Sequence, residues 1–156
     1  MNNSYHIRIA RHDDADSIVL VLQQSIRKIC GQYYDDPEII DQWCSNKTKE
    51  NILDWMDNAK NRMIVLLHNE VISAVGLVSL ETRKILLCYV SPGLVRNGYG
   101  TVLLKELESV SIENGVKQIY VQSTLNAGNF YLRNGYAVTE VKLERPISLI
   151  MSKKIV

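Results

Sequence analysis

From Ile85 to Val90 the chain reads Ile-Leu-Leu-Cys-Tyr-Val, an apolar run without a break. Such a run fits a central strand buried on both faces, which demands helices above and below the sheet. Ser91 and Pro92 stop it, and a glycine-containing loop follows. From about Gly98 to Asn114, Leu103, Leu107 and Val110 then recur at helical spacing. Gly115 closes this helix as a left-handed cap would. At a helix start the first N–H groups lack intrahelical partners. They point outward, the helix dipole adds partial positive charge, and together they can hold a diphosphate. Gly98 and Gly100 let the backbone approach phosphate oxygens, because no Cβ intervenes. Arg96 adds a fixed cation.

A bare Gly-x-Gly also serves as a simple turn and helix cap. The buried strand before it, Pro92 and the apolar helix after it favour the phosphate reading. Two other phosphate loops are excluded. The nucleotide loop G-x-x-x-x-G-K-S/T needs Lys after its second glycine, whereas Tyr99 and Gly100 follow Gly98. The dinucleotide fingerprint needs three glycines at fixed spacing in an early βαβ unit, which Gly93, Gly98 and Gly100 do not supply.

The remaining pattern surrounds this core unit. His6 to Ala10 alternates as a first strand. Asp13 and Asp14 open a helix whose buried stripe is Ile18, Leu22, Ile26 and Ile29. Cys30 to Asp36 reads as a loop, and Pro37 starts a short helix carrying Ile39, Ile40 and Trp43. Thr48 caps another, with Ile52, Trp55, Met56 and Ala59 inward. Met63–Leu67 and Val71–Leu80 are strands about an Asn69-Glu70 turn, and Thr82-Arg83 turns into the apolar run. Gln118–Ser123 is a strand, Asn126–Asn134 a short helix, and strands near Tyr136–Leu143 and Ile147–Lys154 end the chain. The order is that of a mixed α/β sheet with helices on both faces.

Length and charge narrow the function. The 156 residues are expected to form a single domain over 1–156. Eighteen Lys and Arg against seventeen Asp and Glu leave no strong field for nucleic acid or anionic lipid. Cys30, Cys44 and Cys88 are odd in number and lack a C-x-x-C pair, so a reduced, cytoplasmic setting is expected, with no disulfide framework and no metal. Met1 to Ser4 leads directly into the first strand without the apolar core of a signal peptide. No run approaches the roughly 20 apolar residues of a membrane span. His6, His12 and His68 are isolated and suit surface or strand-end roles.

Val90, Pro92, Gly98 and Gly100 match the motif Val-x-Pro-x-x-Gln/Arg-x-x-Gly-x-Gly/Ala. Val95 stands where Gln or Arg is usual, with Arg96 beside it. Downstream, Ala127, Phe130, Tyr131, Gly135 and Tyr136 match a second motif, and Leu149–Lys154 resembles a last strand with its recurrent Met. On these residues the chain resembles the GNAT superfamily of N-acetyltransferases from Ile7 to Lys154. The resemblance implies a mostly antiparallel central sheet with a splayed fourth strand. It implies acetyl-CoA as co-substrate, held by Cys88, Tyr89 and Val90 along the acetyl and pantetheine arm, by Val95, Arg96, Asn97, Gly98, Tyr99, Gly100 and Thr101 at the pyrophosphate, and by Asn126. It also implies that Tyr131 sits near the sulfur, where a phenol can protonate the departing thiolate. The other reading of Tyr131 is an aromatic core residue on a short helix. Cys88 in an apolar strand reads as a small buried hydrophobe rather than a nucleophile.

Tyr34, Pro37, Glu38, Ile39 and Trp43 can also be overlaid, with a one-residue slip, on a Tyr-Ser/Thr-Pro-Glu pattern of small bacterial GNAT proteins. That makes Tyr33 and Tyr34, with nearby acids, candidates to receive a cationic amine. The other reading is an acidic helix start over a core Trp. The residues identify no general base; Glu81, Asp35 and Asp36 are the acids at hand. The expected activity is acetyl transfer to a primary amine of a small molecule or peptide, in a ternary complex. A non-catalytic acyl-CoA-binding regulatory domain is the alternative, and a homodimer stays open.

Overall fold

The computed structural model describes residues 4–156; Met1–Asn3, read above as leading into the first strand, lie outside the described residues. Strand β1 (Tyr5–Ile9) is followed by helices α1 (Ala15–Lys28), α2 (Pro37–Ser45) and α3 (Lys49–Asp57). Strands β2 (Asn61–His68), β3 (Val71–Ser79) and β4 (Lys84–Val90) come next. Helix α4 (Tyr99–Glu113), strand β5 (Gln118–Thr124), helix α5 (Gly128–Arg133) and strands β6 (Ala137–Lys142) and β7 (Ser148–Lys154) complete the chain.

Local chemistry sets most boundaries. Pro37 occupies the first turn of α2, and the Asp36 carboxylate accepts from the Glu38 N–H at 3.0 Å. Thr48 Oγ1 accepts from the Asn51 N–H at 3.2 Å to start α3. That helix ends at Asp57, short of Ala59, which its apolar spacing would include. Asn58 leaves the helix with extended backbone, and its side chain accepts from the Lys60 N–H at 2.8 Å. Ala59 is therefore exposed and not on an inner face. Asn69 and Glu70 both have positive φ, as a two-residue hairpin matched to strand twist requires.

The seven strands form one sheet in the order β1-β2-β3-β4-β5-β7-β6, antiparallel at every pairing except β4 with β5. Strands β2 and β3 are buried on both faces. Ile64, Leu66, Ala74 and Val78 meet Leu103, Leu104 and Leu107 of α4. Met63, Val65, Val75 and Leu77 meet Ile18, Leu22 and Ile52 of α1 and α3. Alternation along each strand thus feeds two cores.

The apolar run behaves differently from expectation. Ile85 and Leu87 are buried, but Leu86 is 46% exposed. The physical reason is a bulge: β3 pairs Leu77 with Leu87 and Val78 with Ile85, so Leu86 is the extra residue, and its two neighbours face opposite cores. On its other side β4 pairs with β5 only at Lys84↔Tyr120 and Ile85↔Val121, and beyond those residues the strands part.

Gly76 in mid-β3 fixes how closely α4 can lie on the sheet. A Cβ there would come within 2.9 Å of Leu107 Cδ1 and 3.0 Å of Leu103 Cδ1, both fully buried. Gly76→Val should lower unfolding free energy by about 1–3 kcal/mol through overpacking, measured by urea denaturation. A variant as stable as the parent would show that α4 is not seated by this contact.

Candidate active site

The V-shaped gap between β4 and β5 is the organising feature. On one side it holds a cavity of about 370 Å³. Its walls are the end of β4, the loop into α4, the end of β5 and helix α5, with Cys30 from beyond α1. The loop is held by Ser91 N–H donating to Ser73 O at 2.7 Å, and a 3₁₀ turn spans Pro92–Leu94. Val95 is extended and 41% exposed. Arg96 (φ 70°) and Gly98 (φ 80°) are both left-handed. Left-handed residues of this kind are a feature of the backbone turns that gather N–H groups around an anion. Within α4, Val102 donates to Gly98 O at 3.1 Å. The amides of Tyr99, Gly100 and Thr101 precede it and face the helix end.

Most of the residues singled out in the sequence line this one cavity: Cys88, Tyr89, Val90, Val95, Arg96, Gly98, Gly100, Thr101, Asn126 and Tyr131. Two loop residues do not. Asn97 ties the loop to itself, its amide donating to Leu94 O at 3.1 Å. The Tyr99 side chain turns into the core, where its hydroxyl meets His68 Nδ1 at 2.6 Å; only its backbone faces the helix start. At Gly100 a Cβ would meet the Phe130 ring at 3.4 Å, so this glycine is where α4 packs on α5 rather than open phosphate space. At Gly98 nothing lies within 4 Å, and the constraint there is the backbone angle.

Tyr33 and Tyr34 do not line the cavity. Tyr33 is 61% exposed. Tyr34 is buried and acts as a clasp: its hydroxyl donates to Ile147 O at 2.9 Å and accepts from Leu125 N–H at 2.7 Å. Its ring packs edge-on against Trp43 at 4.9 Å. Asp36 is spent on capping α2, and neither Asp35 nor Glu81 reaches a cavity wall.

Electrostatics inside the cavity favour neutral groups. Burial pushes the Tyr131 hydroxyl well above its usual range, and the neighbouring Cys88 raises it further. Burial pushes the Cys88 thiol up to about 12 and that of Cys30 up to about 11. Both cysteines therefore carry protons at neutral pH. The Tyr131 ring stacks edge-on against Tyr136 at 5.4 Å. Tyr136 in turn donates to buried Glu108 at 2.7 Å, and Lys153 Nζ neutralises that carboxylate at 3.1 Å. One polar atom is left over. The Asn126 side chain lies beside the Cys30 thiol, and its Oδ1 is buried without a partner. A buried acceptor without a donor is costly, so this site suits a ligand bearing an N–H.

A second cavity of about 590 Å³ adjoins the first, the two sharing Ile85, Leu86, Tyr89, Gln122 and Thr124 as walls. Lysines, Arg145 and Glu144 line it, and sequence reasoning missed it entirely. Its residues come from four separate stretches with no local motif. Among the described residues, no three His, Cys, Asp or Glu are grouped to hold a metal ion. No helix there is long and apolar enough to cross a membrane.

The profile of the acetyltransferase (GNAT) domain matches residues 34–149. The chain belongs to the GNAT acetyltransferase family. Its fold is shared with solved structures across nearly its whole length. The PaiA N-acetyltransferase from Thermoplasma acidophilum, in complex with coenzyme A, superposes with a TM-score of 0.86 at 20% identity, covering 97% of this chain and 99% of that one. An aminoglycoside 6'-N-acetyltransferase complexed with coenzyme A gives 0.75 at 15% identity, over 97% of both chains. The N-acetyltransferase from Staphylococcus aureus Mu50 gives 0.73 at 14% identity, over 98% and 99%. No curated protein matches the sequence significantly.

Two variants test the cavity. Gly98→Val forces a branched side chain into a left-handed backbone and should abolish the rise in melting temperature that coenzyme A gives the parent. Asn126→Leu removes an unsatisfied acceptor, so apo stability should not fall, while coenzyme A affinity should drop about 5- to 30-fold through the lost hydrogen bond. Calorimetric titration of the leucine variant with undiminished affinity would detach Asn126 from the ligand.

Proposed function

We propose that the protein is an N-acetyltransferase that moves an acetyl group from acetyl-CoA directly to a primary amine in a ternary complex. One observation carries the reading: a single cavity runs from the open N-terminus of α4 to the buried Tyr131 hydroxyl, and it meets a second cavity through the β4–β5 gap. The cavity residues fit the co-substrate. The amides of the Arg96–Thr101 loop suit a pyrophosphate, and Asn126 Oδ1 suits an amide N–H of the pantetheine arm. When bound, acetyl-CoA supplies a thioester-activated acetyl group and a thiol leaving group.

The chain's own residues do three things. The parting of β4 from β5 frees the backbone around Cys88–Val90 to line the acetyl position, where an N–H can stabilise developing negative charge. Tyr131 holds a proton on its hydroxyl and delivers it at sulfur as the C–S bond breaks. The apolar walls from Val90, Ala127 and Phe130 limit water near the thioester. Cys88, protonated up to about 12, is not set up as a nucleophile, which supports direct transfer over an acyl-enzyme. In this reading residues 1–156 act as one acetyltransferase domain in the cytoplasm, in keeping with three free thiols.

Thiol release from acetyl-CoA over a panel of polyamines, aminoglycosides, amino acids and peptide N-termini tests the activity. Tyr131→Phe should bind coenzyme A almost normally and lose turnover by roughly 10- to 1000-fold. The loss should sit in the chemical step and shrink with a more acidic thiol leaving group. Because its pKa is raised, Tyr131 stays protonated and should cause no alkaline fall in kcat below about pH 10. Full turnover by the phenylalanine variant, with chemistry rate-limiting, would remove Tyr131 from the mechanism and favour a regulatory acyl-CoA-binding domain.

A further inference from the structure

The second cavity has a charge unlike that of the whole protein. The chain is almost neutral, with a formal net charge of +1. Yet Lys47, Lys84, Lys142 and Arg145 line this cavity against a single carboxylate, Glu144. Lys142 is engaged by Glu140 at 3.5 Å. Among the described residues, Lys47, Lys84 and Arg145 have no carboxylate within 4.0 Å. Lys47 Nζ donates only to the Asn46 amide oxygen, at 2.7 Å, although burial presses its charge toward the neutral form. A partly desolvated cation without a counter-ion is costly unless something anionic arrives.

The cations do not serve the first cavity. Of the loop read as the pyrophosphate site, Val95, Arg96, Gly98, Gly100 and Thr101 line that cavity, and no loop residue lines this one. What the two share is the pair of parting strands, so a molecule in the second cavity can present an amine through the gap beside Tyr89 toward Tyr131. Trp43 and Tyr89 supply an apolar wall, and about 590 Å³ suits a small molecule.

We propose that the second cavity is the acceptor site and that it selects a small primary amine carrying a carboxylate or phosphate, rather than a polyamine or aminoglycoside. The assignment rests on the acetyltransferase reading given above. The cations would hold the anionic group by charge-assisted hydrogen bonds. The same positive surroundings disfavour a second cation, so the acceptor's ammonium loses its proton more readily. The N–C bond then forms from the free amine as the C–S bond breaks. The amine's surplus proton passes to solvent, and the Tyr131 proton ends on sulfur. This arrangement asks less of a dedicated base, which fits Glu144 being the sole carboxylate on either cavity wall.

The test has a binding arm and a turnover arm. With coenzyme A saturating the first cavity, inorganic phosphate should further raise the melting temperature of the parent. It should do so much less for Arg145→Glu or Lys84→Glu, whose response to coenzyme A alone stays normal. In thiol release, 2-aminoethyl phosphate is compared with ethanolamine, aspartate with its diamide, and both with spermidine. The anionic member should win by about 10- to 100-fold in kcat/KM, chiefly through KM, and Arg145→Glu should erase the margin. The two pairs separate phosphate from carboxylate as the recognised group. Preference for spermidine or the neutral partners, or an unchanged KM in both charge-reversed variants, overturns the acceptor assignment and leaves the transferase standing. Coenzyme A binding without thiol release from any acceptor overturns the transferase reading and the acceptor assignment with it.

Discussion

The structure turns on a pairing that stops. Parallel strands β4 and β5 share a register over only Lys84↔Tyr120 and Ile85↔Val121 before they part. Backbone groups beyond that point are freed from the ladder while their flanks stay tied: β4 to β3, and β5 to β7. A sheet can tolerate such a gap only if both halves are stable alone. Here each half is an antiparallel unit, and one core under α4 runs beneath both, joining Ile64, Leu66 and Val78 of the first half to Ile119, Val121 and Met151 of the second.

The first half is rigid because two cores grip it. Strands β2 and β3 are covered by α4 on one face and by α1 and α3 on the other. The absent side chain at Gly76 lets α4 settle close to the sheet. That seating fixes the position of the helix N-terminus, and with it the loop from Val95 to Thr101. On the far side, Tyr136, Glu108 and Lys153 form a closed buried network beneath the Tyr131 ring. A satisfied network of this kind holds a geometry more firmly than apolar packing does. It also leaves the Tyr131 hydroxyl free to face the cavity and Cys88.

Tyr34 joins the two halves at the mouth of the gap. Its single hydroxyl bridges Ile147 O and Leu125 N–H, so the segment before α2 is pinned to the turn before α5 and to the approach to β7. The Tyr34 hydroxyl, named from the sequence as a candidate to receive an amine, is taken up by these two bonds.

The sequence by itself determined the element order, the two-layer burial, the glycine loop and most of the first cavity. Those features are written locally: apolar period, caps at Asp36 and Thr48, and motifs in which spacing along the chain fixes spacing in space. It misjudged Leu86, because an apolar run reports hydrophobicity and not where a bulge sets one residue outside the ladder. It could not tell where the Tyr99 and Tyr34 side chains point, because the direction of a side chain depends on which partner, His68 or Ile147, the fold brings near. The second cavity was decided by tertiary structure alone. Lys47, Lys84 and the stretch that carries Lys142 and Arg145 lie far apart in sequence, and each by itself is an ordinary lysine or arginine. Only the folded sheet brings their charges close enough for the field of one to act on the others, since the Coulomb energy depends on separation in space and not along the chain.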